Sequence, residues 1–288
     1  MRALTLAILL AIAAETGGSY RTEIEKYRHD RIAELTAPDG WLAVRGLFWL
    51  REGENTAGSA PSNDIKLPAR TATRVGVFHV RQGGVSFDAD PTAVVTARGD
   101  RVRAASFTRE ETTIETSGVA IAVIRRGDKI GLRMWDPESP NRTRFPGLEY
   151  FPLNPAYRLR AKFVAYDKLK RVQVPNVLGQ LVTMESPGFV EFTIKGATYK
   201  LEPVYETEKH EDLFFIFKDL TSRTETYEAG RFLHTPVPKG GTVDLDFNRA
   251  YNPPCAFTEF ATCPLPIKEN QLPVRVPAGE LRYHSTDR

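Results

Sequence analysis

Asp244, Asp246, Asn248, Arg249 and Tyr251 crowd into eight positions ahead of a Pro253-Pro254-Cys255 corner. On a strand over Thr242 to Phe247, Asp244, Asp246 and Asn248 share one face while Val243, Leu245 and Phe247 share the other. Two carboxylates two residues apart then lie about 7 Å from each other at strand rise, a separation that suits an acid/base pair. The structural alternative is that Asp and Asn satisfy turn amides and Arg249 pairs with a carboxylate.

A second cluster runs from Lys218 to His234 and contains Asp219, Thr221, Ser222, Tyr227, Gly230 and Arg231. Arg231 with its bidentate fork, Tyr227 by stacking and the Asp246 face could line a pocket for a small anionic or polyhydroxylated ligand. The same residues serve equally as a buried Arg-carboxylate network joining two sheets. His234 is the candidate general base, and a base needs a partner that holds its tautomer, for which Asp246 is the expected group. Gly230 lets the backbone pass closely before Arg231.

Cys255 and Cys263 are the two cysteines of the chain. An even count at short spacing in an exported protein suggests one disulfide, closing a loop of about nine residues. The rival is a metal site completed by His210, His234, His284 or aspartates, but neither C-x-x-C nor H-x-x-x-H spacing is present and no metal is expected. No G-x-S-x-G elbow, P-loop or G-x-G-x-x-G occurs, so neither a serine nucleophile nor a nucleotide cofactor is expected.

These residues need a frame, and the frame reads as mainly β. Short β-rich runs at Leu47 to Leu50, Asp64 to Leu67, Val75 to Val80, Val85 to Phe87, Ala93 to Thr96, Val119 to Ile124 and Ile130 to Met134 are separated by glycine-containing pairs such as Gly83-Gly84 and Gly99-Asp100. That grammar is a sandwich or barrel. The Arg133 to Arg142 segment, flanked by prolines, is the expected junction. Beyond it, strands are expected at Leu159 to Ala165, Gln180 to Met184, Val190 to Ile194, Tyr199 to Pro203, Leu213 to Phe217, Thr242 to Phe247 and Leu272 to Val276. Ser117-Gly118 and Ser186-Pro187-Gly188 read as turns.

Before all this, Tyr20, Ile24, Tyr27, Ile32 and Leu35 form the apolar arc of a short helix, stopped by Ala37-Pro38-Asp39-Gly40. The run Ala3 to Ala14 behind Arg2 has the length of a secretory h-region, with small residues at Ala11, Ala13 and Ala14 for cleavage. It is too short to span a bilayer, and no later stretch is a membrane-spanning candidate. The chain has 288 residues, and its 39 basic and 36 acidic side chains nearly cancel without forming a basic stripe, so nucleic acid is not an expected partner.

Two resemblances sharpen the picture. Leu50 to Pro68, LREGENTAGSAPSNDIKLP, resembles the opening of a forkhead-associated (FHA) domain, with Gly53, Gly58, Asn63, Asp64, Ile65 and Leu67 at matching places. It implies an FHA-like sandwich, yet Ser59 stands where that family has its phosphate-contacting arginine, and its Ser-x-x-His is not recovered between Thr73 and His79. The strings RMWDPESPN, FKDLTSRTETYEAGRFL, LDFNRAYNPPCAFTEFATCPLP and PAGE are similar to the signatures of the bacterial family DUF1684, which implies no activity.

The expectation is therefore an exported all-β protein: residues 1–19 leader and linker, 20–40 amphipathic helix and turn, 41–135 FHA-like β-sandwich, and 136–288 a second β domain closed by the Cys255 to Cys263 loop. Its expected role is a binding or envelope-associated module for a small anionic or polar ligand, held by Arg231, Tyr227, Asp246, Asn248 and Tyr251. The alternative is a hydrolase-type enzyme with Asp246 and His234 as acid/base pair and Arg231 holding an anion.

Overall fold

The computed structural model describes residues 2–107 and 112–284, with residues 2–17 described by backbone alone. The side chains of most of the expected leader therefore lie outside the described residues. The backbone of α1 (Arg2–Thr36) is helical throughout, so Gly17-Gly18 does not break it. Among the described residues no helix is long and apolar enough to cross a membrane.

The rest is strand. The chain divides into two compact units, one of Leu35–Phe145 with Phe257–Ala261, the other of Met1–Glu34, Pro146–Ala256 and Thr262–Arg288.

In the first of these the strands are β1 (Val44–Trp49), β2 (Gly53–Gly58), β3 (Ile65–Lys66), β4 (Gly76–Arg81), β5 (Gly84–Ala89), β6 (Thr96–Ala97), β7 (Asp100–Arg101), β8 (Ala104–Phe107), β9 (Thr113–Thr116), β10 (Val119–Arg126) and β11 (Lys129–Trp135). They form a six-stranded sheet in the order β1-β11-β10-β9-β6-β7 and a five-stranded sheet in the order β3-β2-β4-β5-β8. Alternation explains the core between them: Phe78, Val80, Val85 and Phe87 from one sheet meet Ile114, Ile121, Leu132 and Met134 from the other. Phe78 and Phe87 are direct cross-strand partners with ring centroids 4.7 Å apart. The tight turns sit one residue earlier than the glycine pairs suggested, with positive φ at Gln82-Gly83 and Arg98-Gly99. β2, reading GENTAG, has too little apolar alternation to be legible as a strand.

The other unit holds β12 (Arg158–Pro175), β13 (Leu181–Ile194), β14 (Ala197–Leu201), β15 (Asp212–Phe217), β16 (Arg231–Pro236) and β17 (Thr242–Asp246). A four-stranded sheet runs β14-β13-β12-β17, and β15 pairs with β16. Phe192, Leu213, Phe215, Phe217, Leu233, Leu245 and Phe247 share one core.

Two strand expectations are corrected here. Ser186-Pro187-Gly188 is no turn but part of β13, because the partner strand bulges between Ala165 and Lys170 and spares Pro187 a ladder bond. Leu272 to Val276 is not a strand: Pro273 sits within it and Pro277 ends it, neither able to donate to a ladder, and the segment contributes single bonds such as Leu272 N to Lys218 O at 2.7 Å. The expected short helix is in fact α1, whose buried stripe Tyr20, Ile24 and Leu35 includes the charged Arg31.

Candidate functional site

The residues expected to bind a ligand fall into three separate networks. The first is closed. Arg231 opens β16 opposite Phe217, and both its side chain and that of Asp219 are fully buried. Arg231 Nη2 donates to Asp219 Oδ1 at 3.0 Å and to Val276 O at 3.0 Å, and Nη1 donates to Ala278 O. Asp219 also accepts from Val276 N at 2.6 Å and from Thr221 Oγ1 at 2.8 Å. Gly230 makes this possible: at φ +113° its missing Cβ would stand 2.6 Å from Phe217 O. Every approach to Arg231 is filled by protein, so it cross-links the Asp219 turn to the Val276–Ala278 segment.

The second network docks α1. Asp246 ends β17 and turns the chain into a 3-10 turn (Phe247–Arg249) by accepting from Asn248 N at 3.0 Å. The Tyr20 hydroxyl lies 2.9 and 2.8 Å from its two oxygens, and Asn248 Nδ2 donates to that hydroxyl at 3.0 Å. Burial, aided by Asp246, pushes the Tyr20 phenol far above its usual range. The expected carboxylate pair does not form. β17 stops at Asp246, which is 5% exposed, whereas Asp244 faces outward and takes Arg158 at 2.7 to 3.3 Å.

In the third network Arg31, from α1, lies over the Tyr251 ring at 4.5 Å, donates to Asn252 O at 3.0 Å and pairs with Glu280 at 3.2 Å. Glu280 is fully buried, and that burial holds its carboxyl above the usual carboxylate range despite Arg31. Tyr227 donates to Cys255 O at 3.2 Å, tying it to the proline corner. Cys255 and Cys263 form a disulfide with Cα atoms 6.2 Å apart. No group of three or more His, Cys, Asp or Glu side chains placed to hold a metal occurs among the described residues.

His234 does not meet Asp246. Its Nδ1 is 2.6 Å from Asp212 Oδ2, on the paired strand β15, and its Nε2 is 3.7 Å from Glu206. The ring stacks on Phe214 at 4.6 Å and lies near-parallel to Tyr251 at 6.1 Å. The β15–β16 register sets this geometry by placing Phe214 opposite His234. A histidine with one nitrogen on a carboxylate and its ring stacked on an aromatic neighbour is held in one orientation.

An open cleft of about 460 Å³ lies beside β12 and β17, lined by Arg160, Pro236, Val237, Lys239 and Asp244 among others. Arg158, Arg160 and Lys162 stand on one face of β12. Arg158 is committed to Asp244 and Glu23, and Lys162 lies 3.7 Å from Glu191. Arg160 and Lys239, both exposed, have no ion-pair partner among the described residues. Neither stood out in the sequence, since a lone Arg on a strand and a Lys in a Gly-rich loop are ordinary surface residues; the i, i+2 spacing of three cations was the one available signal.

Comparison with known proteins assigns no activity. No curated protein matches the chain. The solution structure of an uncharacterized protein of Haloarcula marismortui is similar at 27% identity, covering 50% of this chain and 80% of that one, with a TM-score of 0.40. Residues 143–281, the span that carries all three networks' strand-end residues, match the model of a family described as a protein of unknown function, DUF1684.

Proposed function

We propose that this is a binding module for a small anionic ligand, exported or envelope-associated, with its site at the cleft of Arg160 and Lys239. The observation that carries this is the pair of uncommitted cations facing one cleft, beside an Arg158 whose charge is already neutralised. Pro236 and Val237 supply an apolar wall, so the cleft suits an anion with a small hydrocarbon portion. Asp244 does not oppose such a ligand, because Arg158 holds it in a bidentate pair. The disulfide supports an oxidising compartment, as does the apolar run from Ala3 to Ala14. The two-sheet unit is carried as FHA-like in frame only: the Ser59 hydroxyl is spent on Thr71 O at 2.9 Å and leaves no phosphate contact.

Thermal melts with phosphate, sulfate, succinate and citrate test the reading. A ligand at one hundred times its Kd stabilises by about 2.7 kcal/mol. Arg160→Ala with Lys239→Ala should abolish that rise and leave the ligand-free melt in place. If no anion raises the melting temperature, or the double variant responds as the parent does, the cleft is not the site.

The hydrolase reading is kept on one observation, the His234 to Asp212 bond. His234 then acts as general base toward water, with Asp212 in the orienting role expected of Asp246. Asp212→Asn should reduce any turnover found in an ester and phosphoester screen while the fold persists. Turnover equal in His234→Ala and parent would remove it.

A further inference from the structure

β11 carries a charged centre of a different kind. Leu132 and Met134 point into the core, which sends Gly131, Arg133 and Trp135 to the opposite face of the six-stranded sheet. Register sets Leu47 and Ala122 beside Arg133, Trp49 beside Gly131, and Ala120 beside Trp135. Gly131 lets the Trp49 ring lie close on the strand, since a Cβ there would stand 2.9 Å from that ring. Trp41 joins them from the single turn before β1, so two tryptophans, Trp41 and Trp135, lie against one arginine. The Arg133 guanidinium carbon is 4.6 Å from the Trp41 ring centre and 5.9 Å from that of Trp135.

Arg133 is only 8% exposed, yet its Nε and Nη2 are buried with no hydrogen-bond partner, and no carboxylate pairs with it among the described residues. Among the described residues the other arginines buried to this degree, Arg31 and Arg231, each have a carboxylate. Nearby charge makes matters worse: burial, with Arg126 adding repulsion, pulls the Arg133 guanidinium down to about 10. Indole faces offset part of the desolvation of a cation, but they satisfy neither N–H. The two unsatisfied groups are those of one edge of the guanidinium, the edge that grips a carboxylate through two parallel bonds.

We propose that Arg133, with Trp41 and Trp135, forms a second ligand site, separate from the cleft, for an organic carboxylate borne on a ring. The carboxylate accepts from Nε and Nη2, and the ring lies against an indole. Both uronic sugars and aromatic acids have this chemistry, and the tryptophans report on either directly.

The test is tryptophan fluorescence and thermal melting of the full chain with glucuronate, benzoate, acetate and inorganic phosphate. At least one ring carboxylate should give a saturable fluorescence change, with acetate at least tenfold weaker. Glucuronate against benzoate tells sugar from aromatic acid. Arg133→Met should remove the response and raise the ligand-free melting temperature, because an unpaired buried charge is gone. Arg133→Lys should keep the charge and lose most of the affinity, since the bidentate edge is lost. The proposal is overturned if neither ring carboxylate changes the fluorescence, if phosphate alone does, or if Arg133→Met responds like the parent. It is equally overturned if Arg133→Met melts lower than the parent and the parent binds nothing, which would make Arg133 a packing residue.

Discussion

The Tyr20 hydroxyl bridges both oxygens of Asp246, joining groups 226 positions apart in the chain. Asp246 is thereby a docking residue for α1, since its oxygens are occupied by a phenol and the Asn248 amide. Tyr20→Phe leaves the carboxylate short of a buried donor, and such a loss costs about 1 to 3 kcal/mol. Urea denaturation of the variant should show this cost with an unchanged slope. A loss near zero would mean that α1 is not held at Asp246 in solution.

Arg231 and Asp219 behave as a buried pair of which neither member tolerates loss of the other. Arg231→Ala should cost about 3 to 5 kcal/mol, because Asp219 is left as an uncompensated buried charge. Arg231→Met with Asp219→Leu should cost less than the two single changes added together, and a double-mutant cycle measures that coupling. An additive result would deny the pair.

Reduction of the Cys255–Cys263 bond releases a loop with a sequence separation of 8. Chain entropy alone predicts a loss of about 2.5 kcal/mol. The Tyr227 to Cys255 bond is then expected to loosen, since the corner it holds is no longer pinned. Equilibrium unfolding with and without reductant checks the first effect. Mass spectrometry showing two free thiols in the isolated protein would withdraw the cross-link.

Tyr20, Tyr27, Tyr150 and Tyr251 are all pushed far above 10, in each case chiefly by burial. Their folded values exceed their unfolded ones, so their contribution to stability is complete below about pH 10 and is lost as pH rises beyond it. Phenolate absorbance near pH 11 should count at least four fewer ionised tyrosines in the native than in the denatured protein, an order-of-magnitude window set by the ordinary tyrosine value. Equal counts would show these rings to be open to water.

Ligand binding at Arg160 and Lys239 rests on exposed charge and should weaken as salt rises over about one Debye length of screening. Binding at Arg133 is shielded by indoles and should depend on salt much less. Titrations at two ionic strengths separate the two sites.

Much of the architecture was legible because strands announce themselves by alternation. Val119, Ile121 and Val190, Phe192, Ile194 put their apolar residues on one side, and burial follows that side. The Cys255–Cys263 bond was legible for a similar local reason, two cysteines at short range with nothing else to pair with. Gly230 likewise has the close approach expected of it. What failed were partners. His234 was expected on Asp246 and is found on Asp212, because the β15–β16 register decides which carboxylate stands beside it. Arg31, which is not among the apolar residues of the helix arc, is buried against Glu280, 249 positions away.

Residue type and period thus determined the β architecture, the helix at the start of the chain and the cross-link, since each depends on neighbours within a few positions. Only the folded chain decided which polar residue meets which: Tyr20 with Asp246, Arg231 with Asp219, Arg133 with two indoles. Those pairings depend on strand order and register between distant segments, and a buried charge reveals its role only through the groups that surround it.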